Sequence, residues 1–237
     1  MLFKIENVSK RFGGVHVLEN LSMEIRGGEI VGIMGPNGAG KTTLINMISG
    51  LESVCSGRIA LNGDDITNIP PHDIARKGIR RSFQTTSNFS EHTVADNVRA
   101  ALIGNSAKSK KEEMAEVYAL LEEVGLLHLA DKKVCGVPTA VSKMVELCRC
   151  LVAKPCLVLM DELYAGLTWE ESKIVTKVIK EKKEELQTSF ILIEHRTEIL
   201  FDAVDRIVVL NQGTNFFEGL PCEVAANESV SKLYWGK

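Results

Sequence analysis

The sequence predicts an α/β fold. It reads as a mostly parallel sheet flanked by helices, with an antiparallel β piece on its N-terminal side and a small helical lobe inserted in the core. Three observations carry that reading. Apolar segments rich in β-branched residues alternate with helical stretches along most of the chain. From about residue 94 to residue 129, two helical stretches follow one another with no strand between them. A glycine-rich loop stands between one apolar strand and a helix. At 237 residues the chain suits a single domain over residues 1–237, with helices inserted at about residues 94–150.

Taken in order, "LFKIENV" reads as a first strand and lacks the apolar core of a signal peptide. Two early hydrophobic strands flanking "RFGGVHVLEN" form the antiparallel piece. "GEIVGIMG" is a buried strand, followed by the glycine-rich loop and the helix "KTTLINMISG". "GRIALNG" and "IRRSFQ" are further strands. "VADNVRAALIG" and "KKEEMAEVYALLEEVGLL" repeat their apolar residues at helical spacing. "CLVLMDE", "SFILIEH" and "RIVVLNQG" complete the strands, and the charge-rich "KVIKEKKEELQ" reads as the solvated face of a helix.

The hydrophobic and charged fractions, 45% and 25%, are those of a soluble globular protein. A net charge of −3 gives no basis for nucleic acid as the main partner. No apolar run approaches the ~20 residues needed to span a bilayer, so a cytoplasmic location is expected. The six cysteines show no CxxC pair and read as reduced thiols packed as small hydrophobes.

The loop "GPNGAGKT" fits G-x-x-x-x-G-K-S/T, from Gly35 to Thr42, in the strand–loop–helix setting this motif requires. Glycines let the backbone wrap phosphate oxygens with N–H groups pointing inward at a helix N-terminus. Lys41 then reaches the β and γ phosphates, and the Thr42 hydroxyl ligates Mg²⁺. The strand "CLVLMDE" ends in Asp161 and Glu162, one to hold Mg²⁺ and the other to polarise an attacking water. His195 ends another apolar strand. Alone it would be structural; beside the phosphate loop it reads as a γ-phosphate contact. Gln84 follows a strand just before the helical lobe, where an amide can touch both Mg²⁺ and water; judged alone it is a surface residue. Phe12 is an aromatic able to stack on adenine, although an isolated aromatic is more often core.

In their order and spacing these residues resemble, over essentially the whole chain, the nucleotide-binding subunit of ATP-binding cassette (ABC) transporters. The resemblance implies a P-loop NTPase core of the RecA-like kind. "GPNGAGKT" is similar to the Walker A motif, "CLVLMDE" to the Walker B, "SFQ" to the Q-loop, His195 to the switch histidine and Phe12 to the adenine-stacking aromatic. It implies an ATP site built from Phe12, Val17, Gly35, Pro36, Asn37, Gly38, Ala39, Gly40, Lys41, Thr42 and Thr43. Mg²⁺ would be held by Thr42, Gln84 and Asp161, and catalysis carried by Glu162, His195 and Gln84. It further implies integral membrane permease subunits, a second ATPase subunit, an extracytoplasmic solute-binding protein, and a place on the cytoplasmic face of the membrane. "KRFGGVHVLENLSMEI", "IPPHDIARKGIRRSFQ", "AGL" and "LYWGK" resemble the subunits serving branched-chain amino acid uptake, with urea uptake and lipopolysaccharide export as related alternatives.

One segment departs from that family pattern. Counting back from Asp161 puts "VPTAV", Val137 to Val141, in the slot of the signature loop LSGGQ, and none of the five residues matches. Pro138 removes both the serine hydroxyl and its own N–H, while Thr139 and Ala140 add Cβ atoms where glycines stand. Thr139 is expected to cap the following helix, with the Ala140 and Val141 N–H groups still free to meet phosphate. Leu163 replaces a proline after the catalytic glutamate, and Thr168 replaces Asp or Asn in the D-loop. A heterodimer with a weakened second site is therefore favoured over a homodimer. The competing readings are a nucleotide-binding structural subunit, which retention of Glu162, Gln84 and His195 opposes, and a cassette of translation or DNA repair. The last usually needs tandem cassettes or a coiled-coil insertion, and the chain has neither.

Overall fold

The computed structural model describes residues 1–82, 88–104 and 108–235. β1 (Phe3–Phe12) and β2 (Val15–Ile25) form a long antiparallel hairpin closed by Gly13 and Gly14 alone. Both strands thus run into "RFGGVHVLEN", a stretch the sequence reading took as their connector. β3 (Ile30–Met34) leads into α1 (Lys41–Ile48). Then follow β4 (Ser56–Leu61), β5 (Asp64–Asp65), α2 (Pro71–Arg76) and β6 (Ile79–Arg81).

From residue 94 to residue 151 the described residues form three α-helices and no strand: α3 (Val94–Arg99), α4 (Lys110–Glu123) and α5 (Thr139–Leu151). Strand and helix alternate again in β7 (Leu157–Asp161), α6 (Trp169–Leu186), β8 (Ser189–Ile193), α7 (Thr197–Ala203) and β9 (Arg206–Asn211). β10 (Thr214–Gly219), α8 (Pro221–Ala226) and α9 (Glu228–Trp235) complete the chain.

Two sheets result. The first is antiparallel, in the order β2-β1-β4-β5; "GRIALNG" belongs here, not to the parallel core. The second has six strands in the order β10-β9-β3-β8-β7-β6, all parallel except β10. β10 escaped the sequence reading because "TNFFEG" is an edge strand exposed along most of its length and carries little apolar signal.

Central strands that are buried on both faces read as unbroken apolar runs. In β3, Val31 and Ile33 point into a core shared with α1 and the antiparallel sheet, while Ile30 and Met34 point into the core beneath α5, α6 and α7. Their β partners Ile191 and Ile193, Phe190 and Leu192 divide in the same way. Both faces being filled, only the carboxyl ends of these strands are left open for chemistry.

Helix α6 adds two details to the sequence reading. Thr168, taken there as an altered D-loop residue, is the N-cap of α6. Its hydroxyl accepts the Glu171 N–H at 3.2 Å and its own N–H donates to the Glu171 carboxylate at 2.8 Å. Lys182, within the charge-rich stretch, is buried and pairs with Glu123 and Glu185, so that helix face is not wholly solvated. All six thiols are free. Cys148 and Cys150 fill the core inside α5, where burial pushes both up to about 12; Cys55, Cys135 and Cys222 lie on the surface instead.

A side-chain cap of this kind contributes about 0.5–2 kcal/mol. Thr168→Ala should therefore lower unfolding free energy by about 1 kcal/mol in urea titration, and Thr168→Asp, which keeps an acceptor, should restore most of it. Equal stability of the wild type and the alanine variant would show that the cap contributes nothing.

Candidate nucleotide site

The site forms where β3, β7 and β8 end. Past Met34 the chain turns through a loop, residues 35–40, pressed between β9 and β2. A Cβ on Gly35 would stand 2.5 Å from the Leu210 carbonyl oxygen and 2.9 Å from the Ala39 Cβ. Gly40 has φ +99°, and a Cβ there would meet Leu18 Cδ2 at 2.6 Å and the Val17 oxygen at 2.9 Å. No side-chain-bearing residue fits either position. Gly40 is also the N-cap of α1 and offers no capping group, so the first N–H groups of that helix face the cleft.

Lys41 begins α1 and is buried. Its ammonium folds back onto its own loop, donating to the Gly35 and Pro36 carbonyl oxygens, the latter at 3.1 Å. Burial pulls its pKa below the ordinary lysine value, while Asp161 and Glu162 oppose that shift.

Asp161, the last residue of β7, is 2% exposed. Its N–H donates to the Ser82 hydroxyl at 3.3 Å, and Arg81 Nη2 lies 3.7 Å from Oδ2. Oδ2 is buried without a hydrogen-bond partner, and burial raises the carboxyl pKa despite Arg81. A buried carboxylate oxygen with no hydrogen bond among the described residues, in the same cleft as Thr42, suits a hard, oxygen-liganded cation.

Glu162 follows with φ +55°, a left-handed conformation uncommon for a residue with a side chain. Its N–H is held by the Ile193 carbonyl at 3.0 Å. The turn sends Glu162 into the cleft and returns Leu163 and Tyr164 to the core, where both are fully buried. A leucine in that slot therefore anchors the turn by packing. His195, just beyond β8, extends from the neighbouring strand, with Nε2 3.1 Å from Glu162 Oε1.

Val15, Val17, residues 37–43, Asp161, Glu162, Ile193 and His195 line one cleft of about 500 Å³. Lys41, Thr42, Thr43, Asp161, Glu162 and His195 are thus brought together, with Val17, Asn37, Gly38, Ala39 and Gly40 around them. Gly35 and Pro36 lie behind the loop, bonded to Lys41. Phe12 stands apart. It is 44% exposed, covered by the Lys10 ammonium 4.8 Å from its ring, and is not among the described residues lining the cleft. Val15, its cross-strand partner, is. Gln84 lies outside the described residues.

The sequence reading missed Val15, Ile193 and Glu194. Glu194 has no motif of its own, yet it is 5% exposed between the two catalytic candidates, and its Oε1 accepts the Tyr164 N–H at 3.0 Å. Burial pushes its carboxyl up to about 7.

The "VPTAV" segment does not line the cleft. Pro138, not Thr139, is the N-cap of α5, at φ −58° and ψ 157° and with no side-chain bond. Thr139 is already helical and therefore cannot cap, because its side chain lies one residue inside the turn it would have to close. The first helical bond runs from Ser142 N–H to the Pro138 carbonyl at 3.0 Å. Val137, Ala140 and Val141 pack against the core.

Because the folded-state pKa of Glu194 is raised, ionising it destabilises the fold: stability is fully present below about pH 4.5 and is lost as pH rises through about 7. Glu194→Gln removes that loss. Between those limits the stability difference should move by about 2–3 kcal/mol in favour of the variant, read by urea unfolding across pH. Parallel pH profiles for the two proteins would contradict the burial argument.

Known proteins agree with this geometry. Residues 18–165 match the family described as ABC transporter. The high-affinity branched-chain amino acid transport ATP-binding protein LivG of Salmonella typhimurium is 34% identical, over all of this chain and 98% of its own. BraF of Pseudomonas aeruginosa, a protein of the same description, is 31% identical over the same shares. The ADP conformation of an ATP-binding cassette of an ABC transporter superposes with a TM-score of 0.91 at 30% identity, over 100% of this chain and 99% of that one. A nucleotide-free cassette gives 0.90 at 29% identity. The chain belongs to the ABC transporter family, as an ATP-binding cassette of the kind whose ATP hydrolysis is coupled to transport.

Proposed function

We propose that this chain is the ATPase subunit of an importer for branched-chain or other hydrophobic amino acids. It would sit on the cytoplasmic face of the membrane against permease subunits, served by an extracytoplasmic binding protein. The cargo and partners rest on the full-length likeness to LivG and BraF. Among the described residues no helix is long and apolar enough to cross a membrane, which suits a peripheral subunit.

The observation that carries the catalytic reading is the convergence of Lys41, Asp161, Glu162 and His195 on one cleft at the strand ends. In the proposed cycle the Lys41 ammonium exchanges the Gly35 and Pro36 carbonyls for the β and γ phosphates of ATP. The N–H groups of residues 38–43 surround the phosphate oxygens. Thr42 and Asp161, with Gln84, would hold Mg²⁺, which neutralises charge on the phosphates. Glu162 polarises the attacking water, and His195, 3.1 Å from Glu162, orients that carboxylate and the γ-phosphate. In a head-to-tail dimer each nucleotide would lie between one subunit's loop and the other's α5 N-terminus.

That arrangement makes "VPTAV" matter. Pro138 provides neither hydroxyl nor N–H at the start of α5, and the methyl groups around it occupy the space of two glycines. The proposed assembly is an asymmetric heterodimer in which this chain's loop, facing an intact signature, forms the competent site. The same departure is what favours the alternative of a nucleotide-binding structural subunit.

Glu162→Gln should leave ATP affinity near wild type and reduce turnover at this chain's site in the full assembly by about 10²-fold or more, since an amide cannot act as a base. Surviving turnover at this site would favour the structural-subunit alternative. Restoring LSGGQ at residues 137–141 should raise the ATPase rate of the chain alone. The scale is set by one transition-state donor, roughly 10²–10³-fold, reduced by the N–H groups that α5 already offers. Ordinary turnover by the unmodified chain, with no gain on restoration, would make "VPTAV" a working variant and remove the case for asymmetry.

A further inference from the structure

The buried N–H of Gly35 must find an acceptor, because the parallel ladder of β3 ends at Met34. The acceptor comes from the other end of the chain: Gly35 N–H donates to the hydroxyl of Tyr234 in α9. The carbonyl of the same Gly35 accepts the Lys41 ammonium. One residue therefore joins the C-terminal helix to the lysine of the phosphate loop.

The placement of that hydroxyl is built by the fold. Asn227 Oδ1 accepts the Val230 N–H at 3.0 Å and so caps the start of α9. Val230 is fully buried in the core, and Leu233 and Tyr234 pack against the same cluster. The half-buried tyrosine has its pKa raised by desolvation, so the hydroxyl stays protonated at neutral pH. A Cβ on Gly35 would collide with the Leu210 carbonyl, so the loop entrance is gripped from β9 on one side and from α9 on the other.

We propose that Tyr234 is a positioning residue for ATP: its hydroxyl fixes Gly35, and through it holds the phosphate loop and Lys41 in the phosphate-ready geometry. Gly35 precedes the N–H groups assigned to the phosphates, so Tyr234 and ATP do not compete. The hydroxyl touches no reacting atom and acts on binding, not on chemistry. This inference rests on the reading that the N–H groups of residues 38–43 and the Lys41 ammonium hold the ATP phosphates.

The test is Tyr234→Phe in the full chain, which keeps the ring packing and deletes only the oxygen. ATP affinity by calorimetric titration should fall about five- to tenfold, the scale of losing one hydrogen bond to a buried N–H. In turnover the KM for ATP should rise while kcat stays within about twofold, the mark of lost binding that is uniform between ground and transition state. Without nucleotide, the Gly35 amide should exchange hydrogen faster than in the wild type. Ser109→Ala, which removes the capping bond at the start of α4, serves as control: Ser109 does not line the cleft, and this variant should leave ATP affinity unchanged. An unchanged affinity in Tyr234→Phe overturns the proposal, and so does weaker affinity with Gly35 exchange unaltered. If the wild type itself binds no ATP, the proposed function is what has failed, and the exchange comparison still decides whether Tyr234 holds Gly35.

Discussion

A buried ammonium resting on its own loop's carbonyls is the constraint on which this site depends. Lys41 is one of four buried lysines among the described residues, and desolvation works against its charge. The Gly35 and Pro36 oxygens stabilise it locally, and Asp161 and Glu162 do so from across the cleft. Those carboxylates can stand opposite the lysine only because β7 and β3 run parallel on either side of β8, so their carboxyl ends open on the same edge. The apolar cores on both sheet faces thus have a directional consequence. They fix where three strands stop, and charge accumulates at that edge because no other part of those strands is left uncovered.

This electrostatic balance also explains the cost carried by Asp161 and Glu162. A buried carboxylate oxygen with no hydrogen bond among the described residues and a glutamate at positive φ both raise the energy of this strand end. The neighbours compensate by packing: Leu163 and Tyr164 fill the core behind the turn, and the Tyr164 hydroxyl shares a hydrogen bond with Thr176 at 3.0 Å. The strand end is thus held by packing from the helix layer together with the bonds from Glu162 N–H to the Ile193 carbonyl and from Tyr164 N–H to Glu194.

What the sequence disclosed and what it hid follow from the range of the forces involved. The phosphate loop was legible because its demands are local: close backbone approach needs Gly35 and Gly40, and the adjoining strand and helix announce themselves by composition. Asp161, Glu162 and His195 were legible as polar residues ending apolar runs. For Phe12 the stacking reading came from its motif slot alone; its exposed ring lies under the Lys10 ammonium, and its cross-strand partner Val15 lines the cleft. Thr168 was read by its motif slot, and its reciprocal bond with Glu171 adds a helix-capping role that the slot does not name. Glu194, Lys182 and Tyr234 carry no local pattern at all. Each acquires its role from a partner distant in sequence, and Tyr234 reaches across 199 positions to Gly35.

The same distinction of range separates the two ends of the proposed ATP cycle. Residues acting within this chain on its own nucleotide remain those that the chemistry asks for, and they are held together by the sheet whatever the partner is. Residues 137–141 are not among the residues lining that cleft, so this chain's own site does not set their identity. Their present constraints are those of a helix start: Pro138 sets an extended N-cap backbone without a capping bond, and Val137, Ala140 and Val141 bury apolar surface against the core. A segment under those demands alone keeps a helix N-terminus and its partial positive charge while losing the hydroxyl and the glycine clearance that phosphate recognition adds. Intact chemistry beside an altered partner-facing loop is the pattern that a division of labour between two unlike subunits would leave in one of them.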